Sequence, residues 1–246
     1  MDEKSLQELL ARVEKVEAVN ACRNIMGRYS YYHTAFRNYD YMTLWAKRED
    51  SYFKFPYGEY RGYDAIYHCY VVEHGDRSAP GMENNLKGMM MMHQLDTEVL
   101  EVAADGKTAK GVWVSPGHET VLRAADGSQP DKSGDCSDLK ADPMWAWSKY
   151  EVEFIKEDDG WKLWHMKLYP LFKTNFYTAW TDGEEIVEGK TGVDAEDGEK
   201  AVSFTGQEPP KFWQWSKNAI YPADEPEPPV PYNSYADMPH KIYPED

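Results

Sequence analysis

The chain has 246 residues, a formal net charge of −16 and an aromatic content of 14%, with nine Trp and eighteen Tyr. That length can hold one large domain or two small ones and bury a sizeable core, and such aromatics suit a fold with an apolar cavity. The acidic field repels phosphate backbones and anionic membranes, so nucleic acid is not an expected partner, and no run of about 18 apolar residues offers a membrane span.

The N-terminus is charged and amphipathic and has no apolar signal core, which predicts a cytoplasmic protein. Leu6, Leu9, Leu10, Val13, Val16, Ile25, Met26 and Tyr29 recur at threes and fours, so residues 4–37 read as one helix. Asn38-Tyr39-Asp40 reads as a turn, and residues 41–46 as a short second helix. Tyr52 to Pro56 is a short strand that ends in Tyr57-Gly58-Glu59. Gly62-Tyr63-Asp64 opens a third helix that runs to Glu73, with Asp64 in its first turn. Residues 75–88 form a loop with Gly, Asn and Pro.

The period then changes to two. Met89 to Ala103 alternates as a strand, Asp105-Gly106 turns the chain, and Thr108 to Ser115 returns. Residues 116–143 show little periodicity and read as a long loop, which in a compact domain is a lid, a binding loop or an insert. Trp145 to Lys156, a turn at Asp158-Asp159-Gly160, and Trp161 to Tyr169 complete a meander. Helices first and antiparallel strands second predict an α+β domain.

Composition shifts after Pro170. Residues 182–200 are acidic and Gly-rich, and nine of the fifteen prolines lie at or after Pro209. Those prolines alternate with Phe212, Trp213, Trp215, Tyr221, Tyr232, Tyr235 and Tyr243. Proline denies the tail regular structure, while its aromatics argue against full disorder. Residues 171–246 are therefore expected to form an extended arm on the domain (residues 1–170) or on a neighbouring subunit. Cys22, Cys69 and Cys136 are scattered and show neither a disulfide framework nor metal spacing.

In their order, these features resemble the SnoaL-like branch of the NTF2-like superfamily. The carriers are the long helix ending in Arg28-Tyr29, the Gly62-Tyr63-Asp64-Ala65-Ile66 helix, the strand bearing His93, and the Asp105-Gly106 turn. Lys149-Tyr150 and Asp159-Gly160-Trp161-Lys162-Leu163 follow, so the resemblance spans about residues 10–170. It implies an NTF2-like cone, with a curved antiparallel sheet wrapped around N-terminal helices and a conical pocket. His33-Thr34-Ala35, the segment from Gly106 to Trp113, Trp164-His165 and the Pro-rich tail resemble a subgroup with cofactor-free lyases of lignin-derived diaryl compounds. The resemblance thus implies no cofactor and a homo-oligomer, a dimer or trimer. Pure binding proteins share the fold, so fold alone does not give function.

Several side chains could carry chemistry. Tyr29 and His33 are four residues apart and share one helix face. Family dehydratases carry a Tyr there and an acid further along; here His33 stands near the acid's place, and Asp40 lies beyond. His93 shares a strand face with Leu95, Thr97 and Val99, which points it to the core. A satisfied core histidine is the blander reading from sequence alone, but the family's dehydratases place a catalytic His at the matching strand position. Tyr150 lies on the apolar face of its strand, with Ala146, Ser148, Val152 and Phe154. Lys149, Glu151 and Glu153 are then expected on a solvated outer face, where Trp145 and Trp147 suggest a subunit interface or cover from the tail. His165 joins the site only if the face of Trp161, Leu163, Lys167 and Tyr169 lines the cavity. Tyr32, Phe36, Met91, Leu95 and Trp113 are the expected substrate wall, with plain packing the alternative for the methionines. His118 is expected in the long loop. No spacing such as His-x3-His supports a metal, so none is expected.

The expected activity is a cofactor-independent lyase acting on a hydrophobic, hydroxylated aromatic small molecule, by dehydration or by retro-aldol loss of an aldehyde. A histidine would be the base, and Tyr or His donors would stabilise the oxyanion or protonate the leaving group. An isomerase like ketosteroid isomerase, or a polyketide cyclase, is the alternative, weakened because no acid falls clearly on a pocket face. A non-catalytic binding or assembly protein is the third reading.

Overall fold

The computed structural model describes residues 2–55, 58–128, 130–182 and 225–238, together with Trp215, Lys217 and Ile220. Helix α1 spans Glu3–Thr34 and is capped by Asp2, whose side chain accepts the Ser5 N–H at 2.7 Å. Its apolar residues divide between two faces. Ala18, Cys22, Ile25, Met26, Tyr29 and His33 are buried, whereas Leu6, Leu9, Leu10, Val13 and Val16 are exposed. Recurrence at threes and fours does not distinguish one stripe from two that are offset around the axis, so the helix carries two stripes where the sequence suggests one.

Phe36 turns the chain in a left-handed conformation (φ 52°) into α2, Asn38–Met42. Asn38 to Asp40 is helical rather than a turn, held by long-range partners: Asn38 Nδ2 donates to Gly75 O, and Tyr39 N–H donates to Asp76. Strands β1 (Tyr52–Phe55) and β2 (Gly58–Arg61) form a hairpin, followed by α3 (Tyr63–Tyr67), which continues as a π-helical turn over His68–Glu73. A single turn, α4 (Met82–Asn85), leads to β3 (Met90–His93), β4 (Asp96–Val102), β5 (Thr108–Ser115), β6 (Gly117–Arg123), β7 (Lys140–Glu157) and β8 (Gly160–Asn175).

The eight strands form one sheet in the order β2-β1-β8-β7-β5-β4, with β6 joining β3 to β7. Only the β1–β8 pairing among these is parallel. The 18-residue β7 is the spine: its N-terminal half pairs with β6 and its C-terminal half with β5. The segment read as one long loop thus holds β6. That strand is fixed by ladder bonds to neighbours on both sides, not by an apolar alternation, so its pattern is faint in sequence. The single strand read over Met89–Ala103 is also broken at Gln94-Leu95, with Thr97 left-handed at φ 51°.

Helix α1 packs on the concave face, where the core gathers Met26, Tyr41, Trp45, Ile66, Val152, Phe154, Leu163 and Met166. The other face is not the solvated surface expected, for Glu151 and Glu153 are 6% and 2% exposed. Glu151 is bound by Lys110, Lys167 and Tyr169. Residues from the C-terminal region lie over this face. Lys149 Nζ donates to Glu225 O, Tyr235 to Glu153, and the Ala104 and Asp105 N–H groups to Tyr232 O and Asn233 O. Trp147 stacks on Phe172 and Trp145 on Phe176. Phe212, Trp213, Tyr221, Tyr243 and residues 183–200 lie outside the described residues.

Candidate active site

The last two turns of α1 deliver Tyr29 and His33, one above the other, with ring centroids 5.7 Å apart. From β7, the Tyr150 hydroxyl meets the Tyr29 hydroxyl at 2.8 Å. His93 closes β3, and its ring lies 5.6 Å from that of His33. Ser30 Oγ donates to the His93 carbonyl at 2.7 Å and fixes helix against strand. Opposite His93 in the ladder stands Gly117, where a Cβ would lie 2.8 Å from His93 Nδ1 and 2.1 Å from the Ala146 carbonyl oxygen. Only a residue without Cβ lets the imidazole lie on that backbone. Tyr41 and Tyr70 add two more phenols, Tyr41 at 5.1 Å from Tyr29 and Tyr70 at 5.8 Å from His33.

A chain of charge leads away from His93. Glu119 faces Met91 across the β3–β6 ladder, and so shares the face of His93. Its Oε1 lies 3.5 Å from His93 Nε2, and Lys173 Nζ donates to its Oε2 at 2.9 Å. Among the described residues, His33 Nδ1 and His93 Nδ1 are buried and without a hydrogen-bond partner. An unmade bond of this kind costs about 1–3 kcal/mol, and two of them on neighbouring rings are what the polar atoms of a bound molecule would satisfy.

Burial, and then the neighbouring His93 and His74, hold His33 well below the ordinary imidazole value. Burial also lowers His93, although Glu119 pulls the other way. Both rings are therefore neutral bases near neutral pH. Burial raises Tyr29, Tyr41, Tyr70 and Tyr150, so these phenols keep their protons and serve as donors. Among the described residues, no group of three or more His, Cys, Asp or Glu side chains is arranged to hold a metal ion.

Residues 14–167, well over half the chain, match the model of the SnoaL-like domain. The chain belongs to this family. A search among curated proteins finds no match. Solved structures similar to this SnoaL-like chain include an NTF2-like protein with a cystatin-like fold from Novosphingobium aromaticivorans, 19% identical, covering 70% of this chain and 92% of its own, with a TM-score of 0.46. A candidate scytalone dehydratase from the same organism is 14% identical, with coverages of 73% and 99% and a TM-score of 0.47. The hexachlorocyclohexane dehydrochlorinase LinA-type3 from Novosphingobium barchaimii is 13% identical, with coverages of 68% and 96% and a TM-score of 0.47.

Tyr29, His33, His93 and Tyr150 of the SnoaL-like domain thus meet in one cluster. His165 does not join them. A bulge in β8 sets Glu153 opposite His165 and Phe154 opposite Leu163, leaving Trp164 as the extra residue. Side-chain alternation slips there: Leu163 and Met166 enter the core, while Trp164 and His165 both face outward, stacked at 4.0 Å. His165 is held by Glu153 through Nδ1 at 2.5 Å and by the Asp50 carbonyl through Nε2 at 3.0 Å, with Tyr52 stacked on it at 4.2 Å.

Trp113 is core, edge-on to Phe154, its indole N–H donating to Glu98. Tyr32 and Leu95 are half-buried against the core, and the Arg37 guanidinium lies over the Tyr32 ring. Phe36 is buried at the turn after α1, and half-buried Met91 sits opposite Glu119. His118 is in β6 rather than a loop, against Trp145 and on the face away from Glu119. Sequence reading missed Glu119, Lys173, Tyr41 and Tyr70. The β-branched pair Thr120-Val121 was the available, local signal for β6 and with it for Glu119.

Proposed function

We propose that this SnoaL-like domain is a cofactor-independent lyase acting on a hydrophobic, hydroxylated aromatic small molecule. One observation carries the reading: two buried imidazoles, each with an Nδ1 unpartnered among the described residues, stand 5.6 Å apart beside a hydrogen-bonded pair of phenols. His93, with Glu119 alongside, acts as the base on a substrate hydroxyl or an acidic C–H, and His33 holds the second polar group. Tyr29 and Tyr150 donate to the developing oxyanion or to the departing group. In dehydration the base takes a C–H proton and the hydroxyl leaves as water with a proton from a phenol. In the retro-aldol course the base takes the hydroxyl proton, the electron pair left on oxygen closes the C=O bond of the aldehyde, the adjacent C–C bond breaks with its electrons kept by the released carbon, and that carbon takes up a proton. The reading includes a cytoplasmic homo-oligomer, a dimer or trimer.

A mass-resolved screen of diaryl-propanediols, hydroxysteroids and small phenolics with purified protein tests it. Loss of water or of an aldehyde supports it, and full turnover by both His33→Ala and His93→Ala rejects the mechanism. A second reading, an isomerase or cyclase, gains from Glu119, an acid on the His93 face of the sheet. Product of unchanged mass would favour it.

A further inference from the structure

Helix α1 carries a second pattern that the site does not use. Leu6, Leu9, Val13, Val16 and Asn20 follow spacings of 3, 4, 3 and 4, the a and d positions of consecutive heptads. Leu6, Leu9, Val13 and Val16 are 43–61% exposed, and Asn20 is exposed with them. At 100° per residue this stripe is centred roughly opposite Ala18 and Cys22, the residues that bury α1 on its own domain. In heptad terms Ala18 and Ile25 are f positions, the side of a coiled-coil helix that faces away from its partner. The domain and the stripe thus use opposite sides of one helix, and both can be occupied together.

The flanking charges select the partner. Arg12 falls at g and Glu17 at the following e, and both are exposed. In a parallel, in-register pair of identical helices, g of one chain meets the next e of the other, so Arg12 faces the other copy's e-position glutamate twice over, once on each side of the axis. The polar Asn20 at the third a position specifies register and oligomer state, the pairing of one Asn with its copy across a two-stranded seam. The helix does not have to nucleate for this purpose. Lys15 is tied to Glu101 and Arg23 to Glu98, so the domain already holds it straight.

We propose that the exposed face of α1 between Leu6 and Asn20 is a docking surface for a second copy of this chain, forming a parallel two-stranded coiled coil. The inference is independent of the catalytic reading. It is tested by measuring the mass of the full chain in solution by analytical ultracentrifugation. The expected mass is twice the 28.5 kDa of one chain, reduced to one chain by Val13→Asp and by Arg12→Glu. Arg12→Glu combined with Glu17→Arg restores the charge pairing and is expected to restore the dimer. Circular dichroism verifies that each variant remains folded, since these side chains are exposed. In a Cys136→Ser background, Val16→Cys is expected to cross-link to its own copy across the seam on mild oxidation. A wild-type monomer overturns the proposal. So does a dimer that survives Val13→Asp, or one in which Val16→Cys fails to cross-link, as an antiparallel pairing or a different interface would show.

Discussion

Two glycine-to-alanine changes add the same methyl group and are expected to act in opposite directions. At Gly117 the new Cβ would lie 2.1 Å from the Ala146 carbonyl oxygen and 2.8 Å from His93 Nδ1. The first neighbour is backbone in the spine strand and cannot swing away, so β6 and β7 must separate or His93 must leave its place. Forced insertion of this kind costs about 1–3 kcal/mol. For a chain of this size each kcal/mol moves the melting temperature by about 2–4 °C. Gly117→Ala should therefore melt roughly 2–12 °C lower by these figures. At Gly27, inside α1, a Cβ meets nothing within 4 Å. There the gain is about 0.5–1 kcal/mol from the restricted unfolded chain and better helix propensity, a rise of roughly 1–4 °C. Melting curves followed by circular dichroism read both, and the ring protons of His93 in NMR should move only in the Gly117 variant. If Gly117→Ala melts with the wild type, the close packing of His93 on Gly117 is wrong, and a Gly27→Ala that falls as far shows that the open space on α1 is wrong.

The lowered imidazoles set a pH dependence. A base must be unprotonated, and both His33 and His93 sit below the ordinary value of about 6.5. The acid limb of turnover should therefore fall below that pH, and ring-proton NMR should find both histidines still neutral near it; a His33 that titrates at or above 6.5 refutes the assignment. Glu119→Gln removes the charge that holds His93 up against burial, so the acid limb should move to lower pH and kcat/KM should drop by about tenfold or more; an unshifted pH profile would show that Glu119 does not act on His93. Tyr29→Phe strips one partner from the buried Tyr29–Tyr150 hydrogen bond and should destabilise the fold by about 1–3 kcal/mol, which a urea unfolding midpoint would register.

What could be read from the sequence follows from how local its causes are. The spacing of Tyr29 and His33 survives because α1 runs unbroken through both, and the face of Tyr150 survives because β7 alternates without interruption from Ala146 to Phe154. Where the chain inserts one residue, the same arithmetic fails. One bulge at Trp164 turns His165 from a cone-facing possibility into a partner of Glu153 on the outer face. Outer-face acids such as Glu151 look solvated when only their own strand is considered, yet Lys110 and Lys167 from neighbouring strands, and residues far along the chain, enclose them. Glu119 was hidden for a related reason: its strand gains order from β3 and β7 on either side, so no period within residues 117–123 announces it. The N-terminal stripe fails in the reverse sense. Its period was visible, but apolar residues at threes and fours cannot say which partner they face. Only the burial of Ala18 and Cys22 shows that Leu9, Val13 and Val16 look the other way. A residue's face is thus legible wherever one uninterrupted element fixes it, and a residue's partners become legible only once the whole sheet is assembled.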